Sequence, residues 1–151
     1  MKLFFSLVSF FLFLFLSVQT CPARIDPPVG IVKTVTGKAY VTDKTRTFTV
    51  QLVPNMKISK GDLIKTEADS SVGLIFEDDT VMSLGPYSEI TIEDFLFDPV
   101  NSKLAFVARM IHGTFSFISG QIAKLAPKKV KLETPDATLG IRGTKLLITV
   151  N

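Results

Sequence analysis

From residue 31 onward the chain repeats one pattern. Three to seven β-branched or alternating apolar residues are followed, in most cases, by Gly, Pro, Asp or Asn. Such runs occur at Ile31–Val35, Ala39–Val41, Thr47–Leu52, Leu63–Thr66, Val72–Phe76, Val81–Leu84, Ile90–Ile92, Leu104–Met110, Gly113–Ile118, Val130–Leu132 and Lys145–Val150. β-Branched and aromatic residues suit a pleated, half-buried surface, and strands at this spacing predict an all-β sandwich, barrel or solenoid. In Ile90-Thr91-Ile92 and Phe115-Ser116-Phe117 apolar residues alternate with small polar ones, which predicts one buried and one wet face. Leu104-Ala105-Phe106-Val107-Ala108 is continuously apolar and is expected near the centre of the sheet. One helix is expected, of at most two turns, within Ser119–Ala126, where Pro127 stops it.

The first 23 residues read differently. Met1-Lys2 is a minimal positive start, and Leu3–Leu16 is apolar apart from Ser6 and Ser9, with six of the thirteen Phe. As a helix those fourteen residues span about 21 Å, short of a hydrocarbon core of about 30 Å. The segment is therefore read as a secretory signal peptide, residues 1–23, with Cys21 and Ala23 at the −3 and −1 positions of cleavage. Cleavage nearer Thr20 is the alternative. Cys21 is the only cysteine, and Val18-Gln19-Thr20 before it fits a lipoprotein signal poorly. Residues 24–33, with Pro27-Pro28 stiffening them towards polyproline II, are read as a leader, and 34–151 as one β domain. The exported chain then has 128 residues, enough for one core, and no cysteine for a disulfide or thiol chemistry.

Catalytic groupings are missing. His112 is the single histidine and is read as a hairpin residue, without the partner that a triad or metal site needs. The carboxylates of Glu77-Asp78-Asp79 and Glu93-Asp94 do not follow calcium-loop spacing and are read as exposed turns. The exported chain carries 16 basic and 14 acidic residues, too even a balance for a nucleic-acid stripe. The cluster Lys124, Lys128, Lys129 and Lys131 is read as a solvated face. No cofactor or metal is implied.

The C-terminal stretch carries the strongest punctuation: Thr134-Pro135-Asp136-Ala137-Thr138-Leu139-Gly140-Ile141-Arg142-Gly143-Thr144, running into Lys145–Val150. It resembles the signature of the FecR domain. Gly61-Asp62-Leu63-Ile64-Lys65-Thr66 is similar to that family's Gly-Asp-x-Ile-x-Thr segment. Asp78-Asp79-Thr80 and Leu84-Gly85-Pro86-Tyr87-Ser88 are similar to its Asp-Gly-Thr turn and Gly-Pro-x-Ser loop. Gly113-Thr114-Phe115 and Ser119-Gly120 are similar to its central hairpin. Asp79 stands where the family usually has Gly, a substitution that a left-handed turn tolerates.

The resemblance covers roughly Thr34 to the end. It implies a periplasmic, non-enzymatic, signal-receiving module. Family members commonly sit on membrane-bound anti-sigma regulators, with a cytoplasmic segment that is not expected here. The expectation is a stand-alone exported domain that binds an envelope protein, or alternatively a structural or cell-wall-glycan-binding one. The membrane is met only during export. Arg142 is expected to hold the last turn through carbonyls or a carboxylate. The loops Glu77–Thr80 and Gly85–Ser88, and Tyr87 above all, are the expected partner contacts. N-terminal sequencing of the envelope-fraction protein should begin at or near Arg24; an intact Met1, or a lipid-modified Cys21, contradicts the signal-peptide reading.

Overall fold

The structure is a computed structural model, and it describes residues 26–151. The segment expected to be a signal peptide, Cys21 and the expected cleavage site lie outside the described residues. Twelve strands form one continuous curled sheet: β1 (Pro28–Thr36), β2 (Ala39–Thr42), β3 (Thr49–Gln51), β4 (Lys57–Ser59), β5 (Leu63–Thr66), β6 (Ser71–Phe76), β7 (Val81–Leu84), β8 (Glu89–Asp98), β9 (Lys103–Ile118), β10 (Val130–Glu133), β11 (Thr138–Gly140) and β12 (Lys145–Val150). The only helix among the described residues is α1 (Gln121–Leu125), followed by a 3-10 turn (Pro127–Lys129). The domain is all-β, as its turn-punctuated sequence predicts.

The sixteen-residue β9 belongs to both halves of the sheet. Its first part pairs with β8 on one side and, in parallel, with β10 on the other. Its second part, Gly113–Ile118, lies between β7 and β12, both antiparallel. One half of the sheet therefore runs β3-β2-β5-β8-β9-β10-β11 and the other β4-β1-β6-β7-β9-β12. Their inner faces pack on each other in a sandwich-like arrangement. Phe106 of β9 sits at the junction, with ring centroids 4.9 Å from Phe76, 5.8 Å from Phe95 and 5.6 Å from Phe117. Edge-to-face geometry in all three pairs adds to the large apolar area each ring buries. On the outer face of the first half, charges pair across strands, Lys65 with Glu89 at 3.0 Å and Arg109 with Glu133 at 3.1 Å.

Several elements depart from the sequence expectations. The central hairpin at Gly113 does not exist; β9 runs straight through it, and His112 is an exposed strand residue opposite Glu89. Residues 28–33, expected in the leader, form most of β1, which pairs with β6 and β4. Pro28 is admissible there because it is the first residue of the strand. β4 and β11 are three residues each, too short for a periodicity to register. β8 extends to Asp98 across a register shift at Ile92/Asp94, a bulge that hides the alternation.

The Asp78–Thr80 turn is not the exposed acidic loop that its sequence suggests. Asp78 and Thr80 are buried, while Glu77 and Asp79 are exposed. The Asp78 carboxylate accepts from the Thr80 N–H (3.1 Å), the Thr80 hydroxyl (2.8 Å) and the Ile122 N–H (3.2 Å). It thereby caps the start of α1 from another part of the chain, where a negative charge is favourable. The Asp78 carbonyl accepts from the Gln121 N–H (2.7 Å), and the Asp79 carboxylate from the Gln121 amide (2.7 Å). Gly120 must be a glycine: a Cβ there would lie 2.3 Å from the Asp78 carbonyl oxygen. Asp79 adopts φ +64, the left-handed conformation in which the family's Gly is replaced. Asp78→Ala strands at least two buried donors at about 1–3 kcal/mol each. Urea unfolding should show a loss of about 2–5 kcal/mol, and a loss below about 1 kcal/mol contradicts this role.

Candidate functional site

Three sequence motifs far apart in the chain meet at one place. Thr66 ends β5, the Gly85–Ser88 loop joins β7 to β8, and Gly113-Thr114 lies at the middle of β9. The Thr66 hydroxyl donates to the Gly85 carbonyl (2.7 Å) and accepts from the Ser88 N–H (2.8 Å). The Thr66 N–H in turn donates to the Ser88 carbonyl (2.9 Å). The Ser88 hydroxyl accepts from the Thr114 N–H (3.0 Å) and reaches the carbonyls of Thr114 and Pro86. The Gly85 N–H donates to the Thr114 carbonyl (2.9 Å). The hydroxyls of Thr66 and Ser88 and the backbone N–H groups of Thr66, Gly85, Ser88 and Thr114 all donate within this clasp, and Thr66 and Ser88 are buried.

Two glycines make the approach possible. Gly113 has φ +109, and a Cβ on it would stand 2.4 Å from the Ser88 Cα, a backbone atom that cannot give way. A Cβ on Gly85 would stand 2.2 Å from the Thr114 hydroxyl oxygen. On top of the clasp sits Tyr87, 63% exposed, with φ +49. A non-glycine in that region is strained by roughly 1–2 kcal/mol, and it stays there because the residues on either side are anchored. The Tyr87 N–H donates to the Glu67 carbonyl at 3.2 Å. The ring has no aromatic partner among the described residues.

The remaining motif residues lie elsewhere. Gly61, φ +90, turns the chain against the Lys44 side chain, and its N–H donates to the Ile92 carbonyl (2.7 Å). Asp62 accepts from the Ser59 N–H (2.7 Å) and is half-buried; burial first, then the neighbouring Asp43 and Asp26, raise its carboxyl above the usual range. Thr134 closes the Pro135–Ala137 turn by exchanging bonds with Ala137. Gly143 has φ +137, and the Gly143 and Thr144 carbonyls accept from Ser119. Arg142 does not do what its sequence suggests. It is exposed, and among the described residues its side chain makes no hydrogen bond or ion pair, so the expected carbonyl clamp is absent. Gly140 ends β11 with nothing within 4 Å of where a Cβ would stand.

Among the described residues no group of three or more His, Cys, Asp and Glu side chains is placed to hold a metal ion. No helix among them is long and apolar enough to cross a membrane.

The FecR protein family matches residues 62–151. The chain belongs to the FecR family. The match opens on Asp62 and takes in Thr66, the Gly85–Ser88 loop, Gly113 and the C-terminal motif, so both sides of the clasp are FecR sequence. Residues 34–61, which the motif resemblance also included, precede it. Neither the curated proteins nor the solved structures contain a significant match to this chain. FecR domains are in general periplasmic sensory or signalling modules with a regulatory rather than an enzymatic role.

The Gly113 contact tests the clasp. Gly113→Ala forces a left-handed alanine against the Ser88 backbone and should cost more than about 2 kcal/mol in urea unfolding. A variant as stable as the wild type contradicts this geometry.

Proposed function

We propose that this FecR domain is a non-catalytic, exported binding module that acts in trans with an envelope protein. One observation carries the reading. The Gly85–Ser88 loop is immobilised from beneath by Thr66, Ser88 and Thr114, yet it holds Tyr87 outward in a strained conformation. A rigid, exposed aromatic loses little conformational entropy when it is covered, and such residues dominate binding energies at interfaces. The clasp spends hydrogen bonds on positioning a side chain that has no role in the core. Within the Glu77–Thr80 loop the buried members are structural, so Tyr87 and the exposed rim of Pro86 are the contact proposed here.

The family's regulatory character supports a signalling role over an enzymatic one. The apolar first segment and the family's periplasmic setting support export. A cell-wall glycan is the alternative ligand, since an exposed tyrosine also stacks on sugar rings.

Affinity capture from periplasmic extract tests this. The mature wild-type protein should retain an envelope protein, and Tyr87→Ala, at unchanged melting temperature, should retain at least about tenfold less. Undiminished capture by Tyr87→Ala removes Tyr87 from the contact. Retention on purified peptidoglycan without any protein partner favours the glycan alternative, and a hydrolytic activity of the wild type overturns the non-enzymatic reading.

A further inference from the structure

The charge of this chain is unevenly distributed. Residues 124–145 contain six cations, Lys124, Lys128, Lys129, Lys131, Arg142 and Lys145, against two acids, Glu133 and Asp136. Residues 24–123 contain ten basic and twelve acidic residues. Glu133 is already engaged by Arg109. The fold gathers three of the six cations around one glycine. Lys128, Arg142 and Gly140 line a cleft of about 300 Å³ whose remaining walls are Pro127 and the buried Ile141. Lys131 stands directly opposite Gly140 in the β10–β11 ladder, and directly opposed residues project from the same face of a sheet. None of Lys128, Lys131 and Arg142 pairs with a carboxylate among the described residues.

The glycine matters here in an unusual way. Gly113 and Gly120 are required because a Cβ would collide with backbone atoms of the protein itself. Gly140 meets nothing, so its missing side chain leaves open space among unpaired cations. Arg142 likewise belongs to the family motif while serving no contact inside the domain. Beside the cleft runs β11, which pairs with β10 alone, so its outer edge of backbone donors and acceptors carries no strand among the described residues.

From these features we infer that the Lys128–Gly140–Arg142 cleft binds an acidic peptide segment of the partner. The segment lies extended along the β11 edge, places a carboxylate between Lys128 and Arg142, and rests an aliphatic side chain on Pro127 and Ile141. The Arg142 guanidinium matches a carboxylate with two parallel bonds, the geometry for which its fork is suited. The open strand edge selects a peptide over an anionic glycan, because only a peptide can continue the main-chain ladder. The inference rests on the protein-binding reading above and gives that partner a chemistry.

The test uses the mature protein and three labelled probes: the blocked peptide Val-Glu-Val-Glu-Val, its counterpart with Lys in place of Glu, and oligogalacturonate. In amide ¹H–¹⁵N spectra the acidic peptide should shift Lys128, Lys131 and Thr138–Arg142 saturably and leave Tyr87 unmoved. Its affinity should fall with added salt, and at least about tenfold, or 1.4 kcal/mol, in Arg142→Ala. Gly140→Val, which fills the cleft, should weaken it similarly. Both variants should melt within about 2 °C of the wild type, since neither the Arg142 side chain nor a Cβ at Gly140 touches the rest of the domain. No saturable shift with the acidic peptide, equal affinity for Arg142→Ala, or tighter binding of the Lys peptide or of oligogalacturonate overturns the inference. Envelope capture separates the two readings: a partner retained equally by wild type and Arg142→Ala sinks the cleft alone, whereas no protein partner for the wild type sinks the module reading.

Discussion

Everything about this domain turns on the passage of β9 past Ser88. A single strand serves both halves of the sheet, and it changes partners at Gly113, where φ is +109 and the Ser88 backbone fills the space a side chain would take. Above that point β9 pairs with β8 and β10; below it, with β7 and β12. A residue with a Cβ would push the Gly85–Ser88 loop away and open the seam between the halves. Ser88 converts the close approach into bonding, with its hydroxyl on the Thr114 backbone and its own N–H and C=O on Thr66. The loop is thus fixed by the seam itself, and Tyr87 inherits that rigidity.

A second lock, built on Asp78, works by the same logic of distant motifs meeting. The turn after β6 caps α1, and Gly120 allows the two to touch. Between the locks lies the phenylalanine cluster, whose members come from β6, β8 and both parts of β9. Dispersion and burial hold the two inner faces together, while the two polar locks fix how they are placed. Hydrophobic burial alone would tolerate many registers; buried hydroxyls and a carboxylate with every bond satisfied tolerate one.

The sequence made the all-β class legible because its apolar runs are short and end in turn residues. Asp79 could be read as left-handed, since Asp is among the few residues that accept that conformation. The motif glycines were legible as glycines, but not in their jobs. Gly113 looked like a hairpin residue because Gly113-Thr114-Phe115 is similar to the family's central hairpin, whereas here it lets a strand change partners without reversing. Asp78 looked solvent-exposed because Glu77-Asp78-Asp79 is a run of acids, and its burial depends on Ile122, 44 residues away. Arg142 looked like a clamp because arginine between glycines in a turn usually finds carbonyls. The fold leaves it outside, so local pattern named the residue without revealing which way it faces. The leader was misjudged for a related reason: two prolines suggest an unpaired segment, yet the strand simply starts on the second.

The motif residues of this FecR domain fall into two kinds. Thr66, Gly85, Ser88, Gly113 and Thr114 face one another and build the seam; the side chains of Tyr87 and Arg142 and the open Cβ position of Gly140 face away from it. That division makes a direct claim about stability, which native-state hydrogen exchange reads residue by residue. The amides of Thr66, Ser88 and Thr114 all donate within the clasp. They should exchange only through global unfolding, with the same opening free energy as the core amides of Met82 and Phe117. Exchange of these three through a local opening, well below the global free energy, contradicts the claim that the seam at Gly113 fixes how the two halves are placed.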